Sequence, residues 1–233
     1  MHTIQMAHPG KNALSTALMT WLDAELDRAG NAPILLTGTD DAFCAGLDLK
    51  EVASLDTAGM ERFLRHIDRI AMRLFDHPAP VVAAINGHAI AGGAVLALCC
   101  DWRVATTNPR TRIGVNEVAL GACFPPRILK IVLHRISAHN RARVLLGAHL
   151  YPPEEARALG LVDELADDAI AAATKRLGEL SAHPRAAYAH TKGLLRRGVT
   201  TLAPEDERRF ADVELPQWLS KDVKAKIDAV LKR

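Results

Sequence analysis

Aromatic residues are scarce in this chain, since phenylalanine, tryptophan and tyrosine together make up 4% of its 233 residues. Hydrophobic residues nevertheless reach 49%, so the core must be built largely from alanine, leucine, valine and isoleucine. A chain of this length can bury one substantial core and carry a smaller helical appendage. The composition therefore predicts a soluble globular protein.

An excess of charge is also missing. The 29 basic and 27 acidic residues give a net charge of +2, and the basic residues are spread along the chain. This balance argues against a nucleic-acid partner. No apolar run reaches the roughly 18 residues of a membrane span, and residues 1–6 lack the basic and apolar stretches of a signal peptide. We therefore expect a cytoplasmic protein that does not enter a membrane.

Cysteine is infrequent, and its four positions do not suggest a disulfide framework. Cys99 and Cys100 are adjacent, while Cys44 and Cys123 lie in apolar surroundings. This pattern favours reduced packing residues. The sequence also lacks H-E-x-x-H and C-x-x-C motifs and paired histidines at helical spacing, so we expect no metal site.

The first half of the chain alternates between helical and extended patterns. Residues 15–30 form an amphipathic pattern that begins at Ser15, a suitable helix cap, and residues 59–76 form a second one. Short apolar runs typical of buried strands occupy residues 33–37, 81–85 and 102–105. Strands that alternate with helices predict an α/β protein with a mainly parallel sheet.

Beyond Pro125 the pattern becomes almost wholly helical, apart from a short predicted strand at residues 161–165. His183-Pro184 is a candidate boundary before a C-terminal pair of helices. We therefore predict an α/β core over residues 1–183 and a helical region over residues 184–233.

A glycine-rich turn at residues 85–95 (INGHAIAGGAV) connects a predicted strand to a short helix. It does not have the G-x-G-x-x-G pattern of dinucleotide-binding folds, its helix is short, and no acidic residue ends the next strand. None of the five serines lies in a G-x-S-x-G elbow, which argues against a serine hydrolase. A helix that begins at Gly92-Gly93 offers free N–H groups for a developing oxyanion, although close helix–strand packing explains the glycines equally well.

Residues 85–95, together with residues 43–49 (FCAGLDL), closely resemble the two signature loops of the crotonase (enoyl-CoA hydratase/isomerase) superfamily. The resemblance extends from residues 11–14 to the G-L-V-D stretch at residues 160–163. It implies a crotonase-like spiral of ββα units with a C-terminal helical element used for trimerisation. It also implies an acyl-CoA thioester substrate and a homotrimer or a dimer of trimers.

The resemblance assigns roles to four positions. In this family two N–H groups hold the thioester oxygen, one from the residue after the first loop's glycine and one from the middle of a three-glycine run in the second loop. These positions correspond here to Leu47 and Gly92, and the three-glycine run reads Ala91-Gly92-Gly93. Glu117 matches a catalytic glutamate of the family. Val95 stands where the family's hydratases carry a second glutamate.

A single carboxylate favours isomerisation over hydration. Adding water to a double bond requires one group to activate the water and another to manage its second proton, whereas shifting the double bond requires only one base. The residue before the glutamate is Asn116, which resembles the pattern of Δ3,Δ2-enoyl-CoA isomerases. The family's hydratases usually carry proline at this position. The favoured hypothesis is an isomerase that converts 3-enoyl-CoA to 2-trans-enoyl-CoA without metal or redox cofactor, with coenzyme A as part of the substrate.

Three alternatives remain open on the same scaffold: an enoyl-CoA hydratase, an acyl-CoA thioester hydrolase, and a CoA-thioester-binding protein with little catalysis. Under any of them we expect the substrate to contact a further group of residues, namely Ala45, Val95, Asn116, Leu120, Phe124 and Lys11. Trp218 and Leu219 are candidate anchors of a subunit interface, although packing within the core is the default for both.

Overall fold

The computed structural model describes residues 1–232. Its short strands are β1 (His2–Gln5), β2 (Ile34–Thr37), β3 (Ala42–Cys44), β4 (Val81–Ile85), β5 (His88–Ile90), β6 (Trp102–Thr106), β7 (Ile113–Gly114) and β8 (Glu164–Ala166). They form two parallel sheets, with the order β1-β2-β4-β6-β8 in the larger and β3-β5-β7 in the smaller. The predicted parallel α/β architecture is confirmed.

Helices follow β1, β3 and β5, and they make up most of the chain after β7. They are α1 (Pro9–Asn12), α2 (Thr16–Ala29), α3 (Leu49–Ser54), α4 (Thr57–Phe75), α5 (Gly92–Cys99), α6 (Pro126–Arg135), α7 (Ala138–Arg141), α8 (Pro153–Ala158), α9 (Ala169–Ser181), α10 (Arg185–Arg196), α11 (Pro204–Arg209), α12 (Leu215–Trp218) and α13 (Lys221–Leu231). A 3₁₀ turn spans Glu117–Leu120, and π-helical segments occupy Ala142–Leu146 and Phe210–Glu214. The pair of strands β2 and β3 is followed by helices, and so is the pair β4 and β5. The chain therefore repeats a ββα unit.

Strand β4 shows how the larger sheet is buried on both faces. Val81, Ala83 and Ile85 belong to the main core, whereas Val82 and Ala84 belong to a second cluster that α9 covers. Successive side chains of a strand point to opposite faces, so a fully apolar run is required where both faces are covered.

Side chains that accept hydrogen bonds from the first turn fix where helices α2 and α4 begin. The Ser15 hydroxyl accepts a hydrogen bond from the Leu18 N–H at 3.1 Å, as expected for the cap of α2. Helix α4 begins at Thr57, before the predicted start at Gly59, because Asp56 caps it by accepting from the Gly59 N–H at 2.7 Å.

Two predictions about the second half were wrong in detail. The strand predicted at residues 161–165 lies at Glu164–Ala166, because Leu161 still belongs to the turn after α8, where its N–H donates to the Ala156 carbonyl at 2.9 Å. The C-terminal pair of helices is in fact three helical stretches, over residues 185–196, 204–218 and 221–231. The last break arises because the Ser220 hydroxyl accepts from the Val223 N–H at 3.3 Å and starts a new helix there.

Buried ion pairs tie α10 to the larger sheet. Asp101, just before β6, accepts from the Val81 N–H at 2.8 Å and from the Lys192 ammonium at 2.7 Å. The Arg196 guanidinium also donates to this carboxylate and stacks on the Phe75 ring. Losing Asp101 would leave two buried cations unpaired, which is typically far more costly than the net gain from the intact pairs.

The described part of the chain, residues 1–232, has no helix long and apolar enough to cross a bilayer. The same residues contain no cluster of three or more histidine, cysteine, aspartate and glutamate side chains that could hold a metal ion.

Candidate active site

The two glycine-rich loops meet beside the start of α2. The Leu14 N–H donates to the Gly46 carbonyl at 2.7 Å, and the Asp48 N–H donates to the Leu14 carbonyl at 3.0 Å. In this parallel bridge between Leu14 and Leu47, the Leu47 N–H points away from the pairing and donates to no acceptor within residues 1–232.

Close contact between the loops explains the glycine pair at the start of α5. A Cβ on Gly93 would lie 2.2 Å from the Cys44 carbonyl oxygen, so no side chain can be placed there without moving the backbone. A Cβ on Gly92 would meet side-chain atoms of Leu14 and Leu47 at 2.8 and 3.2 Å. Gly92 is therefore adjacent to Leu47, as the resemblance implies.

Gly92 is the first residue of α5, so its N–H has no acceptor inside the helix. It also lies at the positive end of the helix dipole. Leu47 and Gly92, two residues with free N–H groups, thus lie close together and line the same cavity. A pair of backbone donors in this position can hold a developing negative charge on oxygen.

These loops form one wall of a cavity of about 290 Å³. Most of the predicted site residues line this cavity: Ala45, Leu47, Gly92, Val95, Asn116, Glu117, Leu120 and Phe124. The rest of the wall is apolar apart from Trp218, whose indole N–H is already donated to the Cys123 carbonyl at 3.0 Å. Trp218 therefore packs within its own chain, as the default predicted.

Glu117 is the single titratable side chain among the residues that line this cavity. It is 7% exposed, and its Oε2 atom is buried without a hydrogen-bond partner. Burial penalises the charged form and raises the pKa of Glu117 from its ordinary 4.5 to about 8. A carboxylate with this pKa is a stronger base than a solvated one and titrates close to neutral pH.

Val95 lies in the first turn of α5, and its N–H donates to the Ala91 carbonyl at 3.0 Å. Its side chain is 1% exposed and borders the cavity. A glutamate at this position would supply a second carboxylate to the cavity, whereas valine supplies only an apolar surface.

Lys11 is not among the residues that line the cavity. Its ammonium pairs with Asp41 at 2.8 Å, and both side chains are more than half exposed. Its backbone carbonyl accepts from the Ala45 N–H at 3.0 Å, so the residue lies beside the first loop. A role for Lys11 in binding coenzyme A stays a prediction.

Four helices that were not predicted as part of the site close the cavity. Their contributions are apolar side chains of α3, α4, α6 and α13, namely Leu49, Leu64, Ile67, Ile128, Val223, Ile227 and Val230. The spacing of the last three along α13 is that of one helical face, which is a signal for burial but does not indicate what the face covers.

Comparison with known proteins agrees with this geometry. The sequence profile of the enoyl-CoA hydratase/isomerase family matches residues 1–226. This chain belongs to that family. Over 228 residues it is 32% identical to the human mitochondrial enoyl-CoA delta isomerase 1, an alignment that covers 94% of this chain and 74% of the human protein.

Solved structures of the family have the same fold. The crystal structure of human mitochondrial Δ3-Δ2-enoyl-CoA isomerase superimposes with a TM-score of 0.86 at 27% identity, and covers 99% of this chain and 92% of its own. An enoyl-CoA hydratase from Mycobacterium avium gives a TM-score of 0.82 at 28% identity, with coverage of 99% and 90%. The predicted crotonase fold is therefore confirmed, and the family relatives include both isomerases and hydratases.

Proposed function

We propose that this member of the enoyl-CoA hydratase/isomerase family is an isomerase that shifts the double bond of a 3-enoyl-CoA to the 2-trans position. The observation that carries the proposal is the single titratable group, Glu117, in a largely apolar cavity that Leu47 and Gly92, with their free backbone N–H groups, also line. Val95 supports it, because no second carboxylate is available at the position where the family's hydratases carry one.

In the proposed reaction the Glu117 carboxylate removes a proton from C2 of the acyl chain. The C2–H electron pair moves into conjugation with the C3–C4 double bond and the thioester carbonyl, and the resulting dienolate oxygen accepts from the Leu47 and Gly92 N–H groups. The neutral Glu117 then returns the proton to C4. The double bond finishes between C2 and C3, and the reaction has neither gained nor lost an atom or an electron.

This reaction requires no electron acceptor and no group transfer, so coenzyme A acts only as part of the substrate. We extend the proposal to the assembly and place of the protein: a homotrimer or a dimer of trimers in the cytoplasm. The molar mass in solution, measured by light scattering, tests the assembly independently of the chemistry.

Parallel assays of the two reactions test the proposed function. With 3-enoyl-CoA the absorbance of the conjugated thioester should rise, and with 2-trans-enoyl-CoA it should fall if water is added. We expect the first rate to exceed the second. Faster hydration would instead make the protein a hydratase, and release of free CoA thiol, measured with a thiol reagent, would indicate a thioester hydrolase.

A further inference from the structure

Asn116 occupies the cap position of the 3₁₀ turn Glu117–Leu120, but its side chain does not cap that turn. Asparagine is favoured at such positions because its side-chain oxygen accepts from an N–H of the first turn. Here the turn is supported by the backbone, since the Asn116 carbonyl accepts from the Ala119 N–H at 3.1 Å. The carboxamide is therefore free for another purpose.

The side-chain oxygen of Asn116 is buried and has no partner among the described residues, and the same holds for Oε2 of its neighbour Glu117. Both residues line the same cavity. Two buried acceptors without donors are unfavourable, because each loses its water without a replacement. A hydrogen carried by one of the two side chains and accepted by the other would satisfy both at once.

Glu117 can supply this hydrogen itself. The loop of residues 45–49 and the helices α4, α5, α6, α12 and α13 contribute no other titratable side chain to the cavity wall. Burial keeps Glu117 protonated at neutral pH in the free protein. If Glu117 is the catalytic base, it is also protonated in the intermediate, after it has taken the proton from C2.

We propose that Asn116 is a positioning residue whose side-chain oxygen accepts a hydrogen bond from the protonated Glu117 carboxyl group. This inference rests on the proposed function and deepens it. The hydrogen bond holds the acid in one orientation between the removal of the proton at C2 and its return at C4. It also favours the neutral form of Glu117 over the charged form, so its removal must lower the pKa of Glu117.

The pKa of Glu117 can be measured without any turnover. The free energy of unfolding is measured between pH 5 and pH 10 for a protein with Glu117 and for the same protein with Glu117→Gln. The difference between the two free energies stops changing above the pKa of Glu117 in the folded protein, so the pH at which it levels off reports that pKa. The pair is made in the wild-type background and in Asn116→Leu and Asn116→Asp backgrounds. Val118→Ala is the matched control, since Val118 lies in the same turn, is 46% exposed and does not line the cavity.

We expect Asn116→Leu to lower the pKa of Glu117 by about 0.5–1 pH unit, the size of one neutral hydrogen bond. Asn116→Asp should raise the pH at which the carboxyl pair loses its last proton, because two carboxylates in one apolar cavity repel each other. Val118→Ala should change neither value. The acidic limb of kcat/KM should move with the pKa in each variant, and kcat should fall more than KM rises.

An unchanged pKa in a folded Leu variant would overturn the proposal. So would a higher pKa in that variant, since it would mean that the amide nitrogen donates to the charged form. If the Leu variant does not fold, Asn116→Ala removes the same acceptor. Should the pKa values shift as expected in a protein without isomerase activity, the proposed function fails while the hydrogen bond between Asn116 and Glu117 stands.

Discussion

Replacing Glu117 with glutamine should abolish most of the activity and at the same time stabilise the protein. Burial raises the pKa of this carboxyl group from 4.5 to about 8, and each pH unit corresponds to 1.36 kcal/mol. The folded protein thus disfavours the charged form by at most about 5 kcal/mol. Glutamine has a similar shape and avoids this cost, because it cannot ionise.

The sign of the effect follows from proton binding. Between pH 4.5 and pH 8 the folded state holds the Glu117 proton and the unfolded state has lost it. The free energy of unfolding of the wild type must therefore fall as the pH rises through this window. The Glu117→Gln variant lacks this pH dependence. Its free energy of unfolding should therefore exceed that of the wild type by almost nothing at pH 4, by about 2 kcal/mol at pH 6 and by at most about 5 kcal/mol at pH 9.

Urea unfolding of both proteins at pH 5, 7 and 9 would measure this difference. The exposed Glu205 provides a control, because Glu205→Gln should give the wild-type pH dependence. In the isomerase assay the Glu117→Gln variant should lose roughly 10²-fold to 10⁴-fold in turnover while it still binds the thioester. Parallel pH curves for the wild type and the Glu117→Gln variant would refute the assignment of a buried, neutral Glu117.

Three further substitutions test the surroundings of this base. Ala91 has φ of 48°, so Ala91→Gly should raise the free energy of unfolding by about 1 kcal/mol in urea melts. In Gly92→Ala the methyl group meets Leu14 and Leu47 side chains at 2.8 and 3.2 Å, and we expect turnover per folded molecule to fall as Leu47 shifts. Val95→Glu should raise the ratio of hydration to isomerisation, measured on both substrates, and destabilise the fold by roughly 2–4 kcal/mol because the site is buried.

The parts of the site that could be predicted from the sequence lie in short segments, each of which carries a motif of the family. The loops around Leu47 and Gly92 carry glycines whose spacing is distinctive, and the structure shows that a Cβ on Gly93 would overlap the Cys44 carbonyl. Leu120 and Phe124 were expected near Glu117, which they follow closely in the sequence, and both line the cavity. The resemblance to the family placed Leu47 and Gly92, and closeness to Glu117 in the sequence placed Leu120 and Phe124.

The smaller sheet could not be predicted in this way. Strands β3, β5 and β7 contain three residues or fewer, and a period of two residues cannot be recognised in so short a stretch. They pair with partners far away in the sequence, and the adjoining loops approach so closely that a Cβ on Gly46 would lie 2.8 Å from the Ile90 carbonyl oxygen. Such a contact between residues far apart in the sequence leaves no periodic pattern in either segment.

The raised pKa of Glu117 could not be predicted from the sequence for a related reason. The residues next to Glu117 in the chain do not remove its water by themselves, since Val118 is 46% exposed. The apolar cover comes from Leu64 and Ile67 of α4, Ile128 of α6 and Ile227 of α13, which span most of the chain. The pKa of about 8 is therefore a property of the assembled cavity, and any change that moves α13 away from it should return Glu117 toward an ordinary, weaker carboxylate.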